Sequence, residues 1–189
     1  PQEEDHLMST MSIKFRFNSE KAIEAITFIA SNAPVKDIYH ICKVLYLADK
    51  AHIEKYGRSI CGDTYYAMPY GPVPGGVYDL LKDVRDHRKN NNYDHAAASF
   101  AVESNLSQKQ VKPLRDCDFD VFSDSDLECL NASIAENGQK SFEQLKQETH
   151  DKVWKSADLN GEISAEALIS QLQNGDMILE YMRENHATS

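Results

Sequence analysis

The sequence is poor in cysteine and lacks the short motifs that mark several enzyme classes. Its four cysteines, at positions 42, 61, 117 and 129, form no CxxC pair, which disfavours a zinc knuckle and a thioredoxin-like redox site. The patterns GxGxxG, GxxxxGKS/T, GxSxG and HExxH are also absent. The chain therefore carries no complete signature for a cofactor, a metal or a nucleophilic enzyme, and a buried, unreactive thiol is expected at Cys42.

Positive charge and long apolar runs are scarce too. Lys and Arg number 20 against 30 Asp and Glu, which gives a formal charge of -10. Nucleic-acid binding depends on clustered cations, so this balance disfavours it. No apolar run approaches the roughly 20 residues that span a bilayer, and no membrane partner is expected. With few cysteines and no targeting segment, the sequence predicts a cytoplasmic protein with reduced thiols.

The composition suits a globular domain with a hydrophobic core. Hydrophobic residues make up 41% of the chain and charged residues 26%, both ordinary values. We predict a single domain over residues 13–186, mainly α with a small β element (α+β). It should be a compact helical bundle with a short hairpin or small antiparallel sheet. The polar, acidic residues 1–12 are predicted to be a disordered N-terminal extension or a cloning remnant.

Helical periodicity predicts three helices in the first half of the chain. One starts at Asn18–Glu20, presents one apolar face and ends before Pro34. A second runs over residues 37–56 and is capped by Gly57 in the left-handed conformation. A third follows Gly76 and carries the apolar stripe Val77, Leu80, Leu81 and Val84.

The rest of the chain mixes short strands, turns and short helices. Tyr65–Met68 has strand-like composition and Tyr70–Pro74 predicts a rigid tight turn, whereas Lys89–His95 predicts an exposed loop. A hairpin is expected around Phe100 and Val111. Further along, we predict capping boxes at Ser125/Glu128 and Ser141/Gln144, a helix stop at Gly138, a turn at Asp158–Ile163, and two short helices containing Leu168 and Ile178.

Asp49 and His52 form the one candidate site for chemistry. They are three residues apart on the second helix and share a face, so they could act as a proton-transfer pair. Alternatively, Asp49 caps a neighbouring segment or holds His52 by a hydrogen bond. Asp63 and His150 could add polar groups, but no HxH or HExxH motif supports a metal site. We predict a framework role, with no catalytic, cofactor-binding or metal-binding residue.

The run Tyr70–Gly76 precedes a helix, an arrangement that can bind phosphate through free amides. Pro72 and Pro74 each remove an amide donor from this run. The structural turn is therefore favoured over a phosphate site.

Several ordered segments resemble the signature of the SocA-like, or Panacea, antitoxin family. They are Leu45–His52, Lys55–Arg58, Gly62–Tyr65, Tyr70–Pro74 and Tyr78–Leu81, with weaker matches at Thr149–His150 and Val153–Trp154. The resemblance spans roughly Lys14–Ala157. It places these residues in a shared framework or possible functional cluster: Asp49, His52, Asp63, Tyr65, Tyr70, Gly71, Pro72 and His150.

The resemblance implies a bacterial or phage protein of a toxin–antitoxin or defence system, often encoded beside a toxin gene. Such a domain is expected to neutralise a cognate protein toxin by direct binding, in some cases as an adaptor that presents the toxin to a protease. The resemblance supplies no catalytic residues. Two alternatives stay open: a small hydrolase or nucleotide-handling enzyme using Asp49, His52 and Asp63, and a phage protein that binds a component of host defence.

Overall fold

The computed structural model describes residues 12–105 and 108–186 and confirms the mainly helical α+β prediction. The helices are α1 (Ser19–Asn32), α2 (Ile38–Tyr56), α3 (Gly75–Asp86), α4 (Tyr93–Ser99), α5 (Asp124–Asn137), α6 (Phe142–Thr149), α7 (Ala165–Ser170) and α8 (Gly175–His186). The strands are β1 (Tyr65–Met68), β2 (Gly71–Pro74), β3 (Phe100–Asn105), β4 (Gln108–Pro113) and β5 (Glu162–Ile163). Short 3-10 turns lie at Phe119–Val121 and Trp154–Ser156.

Helices α1 and α2 form the centre of the molecule, and both begin and end where the sequence predicts. Asn18 and Asp37 cap their N-termini through side-chain oxygens, and α2 ends at Gly57 with φ 68°. The sequence predicted that one face of α1 would be buried, but every residue over 22–30 is buried. Its polar members are bonded internally, as when the Thr27 hydroxyl donates to the Ile23 carbonyl at 2.8 Å.

The run Tyr70–Pro74 is not the tight turn that its glycine and prolines predict. The turn lies at Pro69–Tyr70, and Gly71–Pro74 is the edge strand of an antiparallel sheet with order β2-β1-β5. The Pro72 carbonyl accepts a hydrogen bond from the buried Lys43 ammonium at 2.6 Å. Because a strand residue directs its N–H and C=O to the same side, the missing N–H of Pro72 also faces away from β1. An edge strand tolerates proline in that orientation.

Two other local predictions are wrong. The predicted loop at 89–95 ends early, since Tyr93 is buried and starts helix α4. The capping box of α5 uses Ser123 and Asp126 instead of Ser125 and Glu128, two residues earlier than predicted. Asp126 matches the motif equally well because its carboxylate reaches the Ser123 N–H at 2.9 Å.

Most of the remaining predictions of local structure hold. The capping box of α6 at Ser141 is confirmed, and α5 ends at Asn137, before Gly138. The β3–β4 hairpin is confirmed, while its connecting residues 106–107 lie outside the described residues. Helices α7 and α8 are confirmed. The predicted turn at Asp158–Ile163 is correct over 158–161 but wrong at its end, because Glu162–Ile163 pairs with β1 as strand β5.

The core consists of two apolar clusters that share α2. The larger cluster joins α1, α2 and α3 with Phe100, Val111 and Leu130. In the smaller cluster, Tyr46 and Ile53 of α2 pack with β1, β5, α7 and α8. Over the described ranges, none of the helices is both long and apolar enough to be a membrane span.

Candidate functional site

Asp49 is the centre of a buried hydrogen-bond network at the end of α2. The left-handed residue Gly57 reverses the chain, so that residues 59–60 run back beside the helix. The Asp49 carboxylate, 2% exposed, accepts hydrogen bonds from the Ser59 hydroxyl, the Ile60 N–H at 2.6 Å and the Tyr65 hydroxyl at 2.6 Å. Burial raises the pKa of Asp49, and these donors oppose that shift. Asp49 thus ties α2 to the following loop and to β1.

His52 lies one turn further along α2 and is completely buried. Its Nδ1 is 2.7 Å from the Arg58 carbonyl, which can only accept, so Nδ1 carries the proton. Burial lowers the pKa of His52 and favours the neutral ring. Nε2 then accepts from the Ser125 hydroxyl at 3.0 Å. His52 and Asp49 therefore bond to different groups.

Asp126 forms a second buried network beside His52. Its carboxylate pairs with Lys21 Nζ at 2.6 Å and with Arg58 Nη1 at 3.1 Å. It also lies 3.3 Å from His52 Nε2, but both atoms are acceptors when the ring is neutral, so they form no hydrogen bond. Although burial opposes ionisation, the Lys21 ammonium and the Ser123 N–H hold the pKa of Asp126 below its usual value. This network joins α1, α2 and α5, and the sequence gives no direct signal for it.

Replacing Asp126 by Asn is expected to lower the free energy of unfolding by about 2–3 kcal/mol, because it removes the buried counter-charge of Lys21. The matched control is Glu128→Gln on the same helix, where the ion pair with Lys55 is about half exposed. We expect a much smaller change there, because water screens the pair. Urea unfolding of both variants measures the difference, and equal losses would show that the buried network contributes no more than a surface pair.

Asp63 acts as a remote cap for helix α3. The residue that precedes this helix, Pro74, makes no side-chain cap, and Asp63 instead accepts from the N–H groups of Gly76 at 2.8 Å and Val77 at 2.9 Å. Burial raises the pKa of Asp63, while these amides and the Thr64 N–H favour the ionised carboxylate. This geometry satisfies the free amides at the helix start.

Asp63 also lines two adjoining cavities of about 140 and 400 Å³ beside the segment 13–17. The lining of the larger cavity includes the aromatic side chains of Phe17, Tyr66 and Tyr78. Asp49 and His52 line neither cavity. The three candidate side chains therefore do not converge on either of these two cavities. Within the described ranges, no group of three His, Cys, Asp or Glu side chains could hold a metal ion.

The β1–β2 turn packs against the segment that follows α6. Gly71 has φ 108°, and a Cβ there would lie 2.5 Å from the Thr149 hydroxyl and 2.9 Å from Lys43 Nζ. The Trp154 indole N–H donates to the Met68 carbonyl at 2.8 Å.

His150 lies in this second group of residues, away from the Asp49 network. Its ring stacks on Trp154 at 4.0 Å, and burial, followed by the charge of Lys146, lowers its pKa. Its Nε2 is buried and makes no hydrogen bond among the described residues. Tyr70, 56% exposed, is the most accessible of the predicted cluster and contacts Phe142 at a ring distance of 5.2 Å.

The family model "Antitoxin SocA-like, Panacea domain" matches residues 41–155, a range that includes Asp49, His52, Asp63 and His150. The chain belongs to the SocA-like Panacea antitoxin family. The recognition made from the sequence is thereby confirmed, and an antitoxin-type role with a toxin as the general kind of partner follows from the family. No curated protein and no solved structure is significantly similar to the chain.

The matched part of the Panacea domain contains a further buried charge that the sequence analysis missed. Lys43 is completely buried, yet its ammonium donates to the Pro72 carbonyl and lies 5.0 Å from the centre of the Tyr39 ring, with no carboxylate bonded to it among the described residues. Burial lowers the pKa of Lys43 to about 8. Its neighbours in the sequence are Cys42 and Val44, so the only available signal was a lone lysine within the apolar face of α2.

Proposed function

We propose that this Panacea domain neutralises a protein toxin by direct, non-catalytic binding in the cytoplasm. The family supports an antitoxin-type role. The observation that carries the binding mechanism is the use of Asp49, His52 and Asp63 inside the fold. Each is buried and hydrogen-bonded to its own chain, through the Ile60 N–H, the Arg58 carbonyl and the α3 amides respectively. Side chains held in this way stabilise a framework that can present a binding surface.

Toxin neutralisation in growing cells tests this function. The chain is co-expressed with the protein encoded beside it, and colony formation is compared for the wild type, His52→Gln and Asp63→Asn. Circular dichroism and thermal unfolding establish which variants stay folded. Binding by the surface predicts that every folded variant restores growth. Loss of neutralisation in a folded His52→Gln or Asp63→Asn protein would contradict the framework role.

A more specific version of this proposal is that the domain acts as an adaptor. An adaptor that presents the toxin to a protease lowers the amount of toxin in the cell, whereas simple sequestration leaves that amount unchanged. Immunoblotting of the toxin in the rescued cells, with and without blocked translation, separates the two. We propose sequestration as the minimal mechanism, and a shortened toxin half-life would establish the adaptor.

A small hydrolase is the second candidate, because Asp63 lines the 400 Å³ cavity next to Tyr66 and Asp79. Its carboxylate would have to leave the Gly76 and Val77 amides to reach a substrate, which would uncap α3. Under this candidate, Asp63→Asn abolishes neutralisation while the protein stays folded. The growth experiment above therefore discriminates between the two functions.

A further inference from the structure

The segment between β4 and α5 places large apolar side chains on the surface of the molecule. Leu114 is 51% exposed and Phe119 is 55% exposed. Both lie within residues 114–124, which we call the acidic aromatic face. The segment falls inside the part of the chain that matches the family. Exposed aromatic side chains of this kind are the usual anchors of protein interfaces.

The acidic aromatic face is fixed to the body of the protein by internal contacts. The Leu114 N–H donates to the Ser99 carbonyl at 2.9 Å, and the Asp118 N–H donates to the buried Glu24 carboxylate at 2.7 Å. One side of the Phe119 ring packs edge-on against Phe28, with ring centres 6.0 Å apart. The anchor is thus held in one orientation before any partner binds, which reduces the entropy cost of association.

The charge of this face is strongly negative. Four exposed carboxylates lie within five residues of Phe119 in the sequence, and none of them forms an ion pair within the described ranges: Asp116, Asp118, Asp120 and Asp124. The one cation of the segment, Arg115, pairs with the buried Glu24, and of the four carboxylates Asp118 contributes to its raised pKa. The segment therefore keeps a negative charge.

We propose that the acidic aromatic face docks a lysine- and arginine-rich segment of the toxin, with an apolar side chain of that segment packed on Phe119. This inference rests on the proposed binding function and names its surface. Complementary charge accelerates encounter and disfavours wrong partners. A nucleic acid would be repelled by the four carboxylates, and a second copy of this chain, with a net charge of -10, would bring like charges together.

Charge neutralisation on this face is the first test. The variant Asp116→Asn/Asp120→Asn/Asp124→Asn removes three charges whose carboxylates accept no hydrogen bond from the described residues. The control, Asp158→Asn/Glu162→Gln/Glu180→Gln, removes three exposed carboxylates elsewhere and changes the net charge equally. Binding kinetics are measured with the toxin encoded beside this chain, at low salt and at high salt.

We expect association to slow on the order of tenfold at low salt for the first variant, with a weaker salt dependence, and to change little for the control. Equal effects of the two variants would overturn the proposed face while leaving the binding function intact. If the wild type binds no toxin, the function itself fails and this inference fails with it. A change in self-association, measured by sedimentation velocity, would instead assign the face to a second copy of the chain.

Phe119→Ala tests the aromatic anchor independently of charge. Leu159→Ala is its control, because Leu159 is also a highly exposed apolar residue, at 61%, outside the face. We expect dissociation of the toxin from the folded Phe119→Ala protein to accelerate on the order of tenfold, and dissociation from the control to stay near the wild-type rate. Unchanged dissociation from Phe119→Ala would remove the anchor from the proposal.

Discussion

Gly62→Ala is expected to unfold the protein or to lower its free energy of unfolding by at least about 3 kcal/mol. Gly62 has φ 67°, and a Cβ there would lie 2.0 Å from the Arg16 carbonyl oxygen. The chain cannot move apart easily at this point, because the Asn18 N–H donates to the Cys61 carbonyl at 2.9 Å. The methyl group would therefore collide with backbone and break this junction.

Gly57→Ala is the matched control for this result. Gly57 has nearly the same φ, 68°, but the nearest atoms to a Cβ there are Tyr181 ring carbons at 3.3 Å. This substitution should cost only the left-handed conformation, about 1 kcal/mol. Thermal and urea unfolding of the two variants measure the gap. Similar losses would mean that the approach of Arg16 to Gly62 does not constrain the fold.

The second large effect concerns the contribution of Lys43 to the pH dependence of stability between pH 8 and pH 10. The folded-state pKa of Lys43 is lowered to about 8, whereas an unfolded lysine titrates near 10.4. Below pH 8 the Lys43 ammonium is charged in both the folded and the unfolded state. The full free-energy cost of burying that charge then opposes folding. As pH rises through this window Lys43 releases its proton first in the folded state, so its contribution to stability increases, by an amount on the order of 3 kcal/mol.

Other groups around Lys43 do not produce the same signature. Burial raises the pKa of Cys42 to about 12, and burial also raises the pKa of Tyr39, so both stay protonated in the folded state across this window. Because an unfolded thiol ionises with a pKa of about 8.5, Cys42 lowers stability as pH rises, which is opposite in sign to Lys43. The Thr149 hydroxyl and the Pro72 carbonyl do not titrate. Any contribution from these thiols and phenols in the unfolded state is shared by a variant that lacks only Lys43.

Lys43→Met is that variant. We expect it to be at least as stable as the wild type at pH 7.5, because an apolar side chain of similar length replaces a buried charge that has no counter-charge. By pH 10 the wild type should have gained stability relative to the variant. Urea unfolding of both proteins at the two pH values gives the change in unfolding free energy with pH for each protein. An equal change in the two proteins would exclude a buried Lys43 ammonium with a lowered pKa.

The sequence was sufficient to predict the elements with strong local signals. Helix α2 has an N-cap, a regular apolar pattern and a C-terminal glycine, and all three coincide with its observed ends. Helix α4 carries no comparable signal, since polar residues precede it and its buried residues besides Tyr93 are the small Ala96 and Ser99. Strand β2 was not predicted, because its prolines indicated a turn. Whether a proline disrupts a strand depends on which side of the strand faces its neighbour, here β1.

The partners of the candidate site could not be predicted, because they are long-range contacts. Asp63 caps a helix that begins twelve residues later, and Asp126 meets Lys21 across three helices. Spacing along α2 placed Asp49 and His52 on one face, but it could not show that the reversal at Gly57 brings Ser59 and Arg58 to satisfy each of them separately. Whether Asp49 and His52 are interpreted as catalytic or as structural side chains depended on those contacts.

The most direct test of neutralisation by binding is a titration of purified toxin activity with the purified chain. Binding predicts that toxin activity falls linearly with added chain and reaches zero at a fixed molar ratio. Below that ratio, the unbound toxin should stay fully active however long the mixture is incubated. A substoichiometric amount of chain that progressively abolishes toxin activity, or reverses its product, would show turnover and contradict the account.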